Sequence, residues 1–287
     1  MESLNWVGEV PQLRSPLLIC AFRGWNDAAS VASTALETLA DSFDPEPIAE
    51  IDPEEYFDFQ ATRPTIVLTD GQTRRIDWPQ NDLIAVRVPG AERDLVLFDG
   101  TEPSLRWRTF SETVATAADA LGVEIVITLG ALVAEVSHTL PVPVTALASD
   151  ERLIEDLDLQ RSNYEGPTGI VGVLHDCCRQ VGMGSASLWA AVPHYVAAVP
   201  NPKATLALLR RLEALTGIAV DATELEEETE SYEEQIGRAV AANPEIAELV
   251  ERIEAVQVEQ LGEEEVDLPS ADALAKEFQK FLRQKDQ

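Results

Sequence analysis

The stretch Tyr164–Leu174, YEGPTGIVGVL, limits what this chain can fold into more than any other. Gly166, Pro167 and Gly169 make a tight turn, and Thr168 is placed to cap the first free N–H groups of a helix. Apolar residues then recur at Ile170, Val171, Leu174, Cys177, Cys178 and Val181, the stripe of one buried helical face. Gly169 and Gly172 leave room for another backbone to lie close. A polar turn follows, and LWAAV (188–192) reads as a buried strand. The pattern predicts a helix lying flat on a sheet.

The rest of the chain up to residue 217 repeats that grammar. LLICAF (17–22) reads as a buried strand, the loop 23–27 follows, and 28–43 has helical composition with Asn26 or Asp27 as its cap. Further strands are expected at 48–51, 65–69, 83–88, 95–98, 123–129 and 142–147, and helices at 104–121 and 203–215. Strands alternating with helices predict an α/β fold with a mainly parallel sheet covered by helices. Beyond Gly217 the sequence holds only charged helical stretches, split at Asn243-Pro244. Ile246, Leu249, Ile253 and Val256 step as a coiled-coil seam does, and Leu225, Tyr232, Ile236, Ala239 and Val240 offer the partner stripe. The expectation is therefore an α/β core over 1–217 and an appended segment over 218–287. That segment comprises an acidic antiparallel helical hairpin and a last helix, capped by Ser270, docked on the core.

Charge narrows the partners. The formal net charge of −30, from 51 acidic and 21 basic residues, opposes phosphate backbones and anionic membranes, so neither nucleic acid nor a membrane surface is expected. The three cysteines, Cys20, Cys177 and Cys178, fit reduced core thiols in a cytoplasmic protein rather than a disulfide framework. No signal core opens the chain, and the uncharged run 180–202 is broken by Pro193, Pro200 and Pro202, which speaks against a membrane span.

In open α/β sheets, ligands sit beyond the carboxyl ends of strands. Two loops qualify. Arg23, Gly24 and Asn26 follow the first strand, and Gly130 ends the strongest one. Arg23 beside a helix N-terminus could hold an anion, or it could pair with a nearby carboxylate. His138, with Glu135 upstream, is the histidine best placed for proton transfer, and a loop-capping role is the alternative. His175 lies off the apolar stripe and is expected to be exposed. The turn GPTG could cradle a phosphate. No histidine pair or cysteine spacing suits a metal, no nucleotide-binding or GxSxG motif occurs, and no cofactor is expected.

Six segments carry a resemblance: AFRGWNDA (21–28), EEYFDF (54–59), GTEPSLRW (100–107), TLGAL (128–132), YEGPTGIVGVL (164–174) and SLWAAVPHYVAAVPNPKA (187–204). With these in order, the chain resembles the proteasome assembly chaperone 2 family, in its bacterial, actinobacterial-type branch. The resemblance implies a three-layer α/β domain similar to the purine nucleoside phosphorylase type, without established catalytic residues. It also implies assembly into a homo-oligomer, for which a trimer is the expectation, and binding to proteasome core subunits, as eukaryotic and archaeal members do. Chaperones that dock through a C-terminal hydrophobic-Tyr-X tail differ from this sequence, which reads RQKDQ. Two functions follow as expectations. The favoured one is a non-enzymatic assembly protein. The alternative is an enzyme on a phosphorylase-like sheet, with Arg23 and His138 near a small anionic substrate.

Overall fold

The computed structural model describes residues 3–69, 73–148, 150–157 and 159–263. In chain order its elements are β1 (Leu4–Trp6), β2 (Leu17–Arg23), α1 (Val31–Asp41), β3 (Pro45–Ile51), β4 (Thr65–Thr69), β5 (Thr73–Asp77), β6 (Asn81–Val86), β7 (Leu95–Thr101), α2 (Trp107–Ala120) and β8 (Ile125–Ala134). There follow β9 (Val144–Ala148), α3 (Glu151–Asp156), β10 (Gln160–Arg161), α4 (Ile170–Val181), β11 (Gly184–Pro193), α5 (Pro202–Thr216), α6 (Thr223–Ala241) and α7 (Pro244–Glu263). The chain forms two compact units. One is built from Met1–Trp25, Phe43–Thr128 and Thr168–Ala186, the other from Asn26–Ser42, Leu129–Pro167 and the chain from Ser187 on.

The first unit carries the strand order β1-β3-β6-β7-β2-β8-β11. Here the sheet is mixed. β2 and β7 are parallel, but β1–β3, β3–β6 and β6–β7 are antiparallel. The cause is connection length: β6 passes to β7 through a short loop with no helix, and a parallel neighbour needs a crossover. Leu18, Ile19 and Cys20 of β2 are fully buried, as an apolar run in a covered strand should be. Phe22 packs against Phe98 and Phe110 at centroid distances of 5.3 and 6.2 Å, and Tyr56 meets Phe110 edge-on at 5.2 Å. The acidic-aromatic run at 54–59 thus supplies core through its aromatics, with Tyr56 and Phe57 buried and Glu54 and Glu55 in a turn capped by Asp52. β4 and β5 form a separate two-stranded sheet.

Helix α4 departs from its expected details. Ile170, Val171, Leu174 and Cys178 are buried, but Cys177 is half-buried and Val181 is 61% exposed. Thr168 does not cap. It donates to the Gly169 carbonyl at 3.3 Å, and the cap position is Gly169. Gly172 makes room for Thr168 itself, whose Oγ1 lies 2.0 Å from where a Cβ would stand, and not for a passing backbone. His175 is half-buried rather than exposed. Its Nε2 bonds Thr128 Oγ1 at 2.9 Å, and burial pushes its pKa down to about 4.

The second unit carries the order β8-β11-β9-β10, with β9 and β10 parallel. Asp27 anchors the start of α1: Oδ1 accepts the Ala32 N–H at 2.7 Å and Oδ2 the Ser33 hydroxyl at 2.6 Å. Helix α5 starts with Pro202 in its first turn and Asn201 capping the Ala204 N–H at 3.0 Å, and it ends at Gly217 in the left-handed region. It packs on α1 and on α6, and α6 meets α7. The buried stripe of α7 differs from the expected seam, because Val256 is 55% exposed while Gln257 is buried. On α6, Leu225 and Tyr232 are buried as expected, whereas Ala239 is exposed. The helix expected after Ser270 lies outside the described residues. Among the described residues no helix is long and apolar enough to cross a membrane.

Candidate functional site

Each unit holds part of the polar machinery singled out in the sequence. In the first, Arg23 ends β2 and its guanidinium pairs with Asp99 on the neighbouring β7. The sheet register explains why it must. Glu50 on β3 opposes Asp82 on β6, and Asp82 opposes Asp99, so three carboxylates lie side by side across adjacent strands. Arg23 is the cation at the end of this row. Asp82 is held at a pKa of about 6, raised first by burial and then by Asp99 and Glu50, with Arg23 opposing. Arg23 is thus engaged by a carboxylate of its own chain.

Gly24 follows with φ at +134°, in the region that favours glycine, and a Cβ there would stand 3.1 Å from that of Glu102. Glu102 is one residue that the sequence pattern does not mark as part of a site. Its N–H donates to the Arg23 carbonyl at 2.9 Å, and its Oε1 accepts the Ile170 N–H, the first of α4, at 2.9 Å. Glu102 Oε2 also faces the Trp25 N–H at 3.4 Å. The anion that the GPTG turn and helix N-terminus could attract is therefore supplied by the protein, as a carboxylate compensating the helix dipole. Only a three-dimensional arrangement reveals this, since Glu102 and Ile170 are far apart in sequence.

In the second unit, Asn26 is buried and its carbonyl accepts the Ala131 N–H at 2.8 Å, beside a parallel bridge between Asp27 and Ala131. Gly130 has a packing reason: a Cβ there would stand 2.6 Å from the Trp189 ring. Both residues serve the join between their loop and β8.

His138 lies in a dense polar cluster around the loop after β8. It is buried, and its partner is Tyr195, not the exposed Glu135. The backbone N–H of His138 donates to Tyr195 Oη at 2.9 Å, and the same oxygen shares a hydrogen bond with Nδ1, 2.8 Å away, whose direction follows the ring tautomer. The other ring nitrogen, Nε2, is a buried atom without a hydrogen-bond partner. Burial lowers the pKa of His138 below its usual value, against the opposing pull of Glu254, so the ring is neutral at neutral pH. Lys203 Nζ donates to the His138 carbonyl at 2.7 Å and pairs with Glu233 of α6 at 2.6 Å. From α7, Glu254 accepts the Ser137 hydroxyl at 2.9 Å, and Gln257 accepts the Ser137 N–H at 2.8 Å and donates to the Pro141 carbonyl at 3.3 Å.

Chemically, these contacts fasten α6 and α7 to the loop 137–141. A neutral imidazole shut in by Tyr195 is held in place rather than presented. Tyr195, Glu254 and Gln257 were not legible as site residues, although Gln257 between two valines was a weak sign of a polar position on a buried stripe. Among the described residues no group of three or more His, Cys, Asp or Glu is arranged to hold a metal ion. A 480 Å³ groove along α2 and α4 is lined by Glu112, Asp119 and Glu124 together with Cys177 and Met183, an acidic lining that disfavours anions.

Comparison with known proteins agrees with this architecture. The PAC2 family model matches residues 21–240. A PAC2 family protein from Streptomyces avermitilis is 48% identical, with a TM-score of 0.76 over 82% of this chain and 99% of its own. A Mycobacterium tuberculosis proteasome-assembly chaperone homologue is 44% identical, with a TM-score of 0.74 over 82% of this chain and 99% of its own. An archaeal proteasome activator from Pyrococcus furiosus shares the fold at 20% identity, with a TM-score of 0.68 over 83% and 99%. No curated protein matches the chain. The chain belongs to the PAC2 family, alongside its actinobacterial members.

Proposed function

We propose that this protein is a non-enzymatic assembly factor that works by binding other proteins, in the manner of the proteasome-assembly chaperones, and that it acts as a cytoplasmic homo-oligomer. The observation that carries the reading is its likeness to the Mycobacterium tuberculosis proteasome-assembly chaperone homologue, at 44% identity across 99% of that chain. The site geometry supports it. Arg23 is committed to Asp99, the α4 N-terminus to Glu102, and His138 to Tyr195. An enzyme acting on a small anion would need such groups facing substrate. In the same reading, residues 1–217 are a three-layer core of the phosphorylase type, and 218–287 an acidic helical segment beginning with a hairpin of α6 and α7.

The experiment is co-purification of the tagged full chain with unassembled proteasome core subunits and with mature 20S core particles. Recovery of subunits or particles at micromolar concentration is the expected result. Absence of both, together with a small metabolite that raises the melting temperature, overturns the reading in favour of an enzyme.

A further inference from the structure

The β4–β5 ribbon is the part of the fold least accounted for by its own chain. Among the described residues it pairs with no other strand, so each of its strands has one edge unbonded. All five residues of β4, TIVLT, are exposed. The register sets Ile66 against Ile76 and Leu68 against Arg74. Cross-strand partners and every second residue share a face, so these four line one side of the ribbon, and Trp78 continues it. Ile66 is 64% exposed, Leu68 59%, Ile76 51% and Trp78 45%. A two-stranded ribbon is marginally stable alone in water, and an apolar row of this kind on a soluble protein marks an interaction surface.

Charge identifies the partner. The ribbon and its approach carry Arg63, Arg74 and Arg75 in a chain of net charge −30. All three are exposed, and Arg75 is matched by Asp77 in its own strand at 2.8 Å. Two copies of so acidic a chain repel unless their contact sets scarce cations against abundant anions. The complementary surface is present on the same protein. Helix α6 exposes Glu224, Glu227 and Glu228, and α7 exposes Glu251 beside Val258 on one flank of its buried stripe and Glu259 beside Val256 on the other, the two valines being 54% and 55% exposed. An apolar-and-basic ribbon meets an apolar-and-acidic helical surface.

We propose that the β4–β5 ribbon of one copy docks on the exposed acidic faces of α6 and α7 in a second copy of this chain. The lengths match: five paired residues span about 17 Å, and a helix of 20 residues spans about 30 Å. Ribbon-to-ribbon pairing is disfavoured, because it brings Arg74 and Arg75 toward their own counterparts. Since the two surfaces differ, the contact is head-to-tail and repeats until a ring closes, which permits a trimer. The inference rests on the homo-oligomer reading above and names its interface.

The test uses the full chain with a photo-crosslinking amino acid at position 66, mixed in light and heavy isotope forms, together with native mass spectrometry. The expected result is a multimer whose light-to-heavy cross-links fall between residues 223 and 259. R74E and the double variant I66E/L68E should each lose at least about tenfold in association constant, with an unchanged circular dichroism spectrum. The R74E loss should shrink at high salt, the other less so. Cross-links elsewhere, or a multimer that withstands both variants, overturn the interface while leaving the homo-oligomer reading standing. A wild-type chain that stays monomeric overturns both.

Discussion

Asp82 should destabilise the folded protein at neutral pH, and Asp82→Asn should relieve it. Its carboxylate lies between Asp99 and Glu50 in the register of β7 and β3, with Arg23 engaged by Asp99, and its pKa is raised from 3.8 to about 6. A carboxyl whose folded pKa lies above its unfolded one binds protons more tightly when folded. Between about pH 4 and 6 the native state therefore holds more protons than the unfolded chain, and stability falls as pH rises through that window. Above pH 6 the full cost is present. At about 1.36 kcal/mol per pH unit the displacement corresponds to about 3 kcal/mol. Because Asp82 is only half-buried, solvent screening reduces this to about 1–1.5 kcal/mol. Asp82→Asn should accordingly raise the melting temperature by about 2–5 °C at pH 7.5. The gain should fade below pH 6 and vanish near pH 4. The assay is differential scanning calorimetry of both proteins over that range. A gain that does not depend on pH, or a loss at pH 7.5, refutes the claim that the carboxylate row is under electrostatic strain.

Asp94 should behave with the opposite sign. It is buried and accepts the Arg14 N–H at 2.8 Å and that residue's guanidinium at 2.5 Å, and these bonds hold its pKa below the usual carboxylate range. Asp94→Asn should thus destabilise at pH 7, with a deficit that shrinks as pH falls below 4, measured by the same calorimetry. Gly130→Ala sets a methyl 2.6 Å from the Trp189 ring and should cost about 1–3 kcal/mol, with a shift in tryptophan fluorescence emission. Gln257→Ala strands the Ser137 N–H and the Pro141 carbonyl, and should cost about 2–4 kcal/mol and speed proteolysis within α7. Glu102→Ala should cost about 1 kcal/mol by uncapping α4, while Glu102→Gln retains an acceptor and most of that stability.

The contrast between what was and was not readable in the sequence has a physical cause. Apolar periodicity reports which side of an element is covered, so β4 was located to the residue and β2 and α5 to within one, and α4 was recognised as a helix on a sheet. The same signal is silent when a covered position is polar. Gln257 is buried because its amide meets two backbone groups of a loop more than a hundred residues earlier, and Val256 beside it turns outward instead. It is equally silent when the chain provides its own ligand. Arg23, the GPTG turn and His138 each looked available because Asp99, Glu102 and Tyr195 come from distant segments.

These self-satisfied groups share one consequence. An active site must leave some polar groups unmatched until substrate arrives, since pre-organised but unspent hydrogen bonds lower the barrier. Here the cations and helix terminus best placed for an anion are already spent within the fold, and the buried imidazole is turned to a phenol. The surface offers an apolar ribbon with exposed arginines, and two helices, α6 and α7, whose glutamates far outnumber their own arginines, Arg238 and Arg252. Such surfaces can gain free energy by contact with another protein. Raising salt should therefore weaken self-association of this protein while leaving its melting temperature at fixed multimer fraction nearly unchanged, because the internal pairs are close-range and partly buried. A multimer that tightens with salt would place its interface on apolar contact alone and remove the arginines from the account.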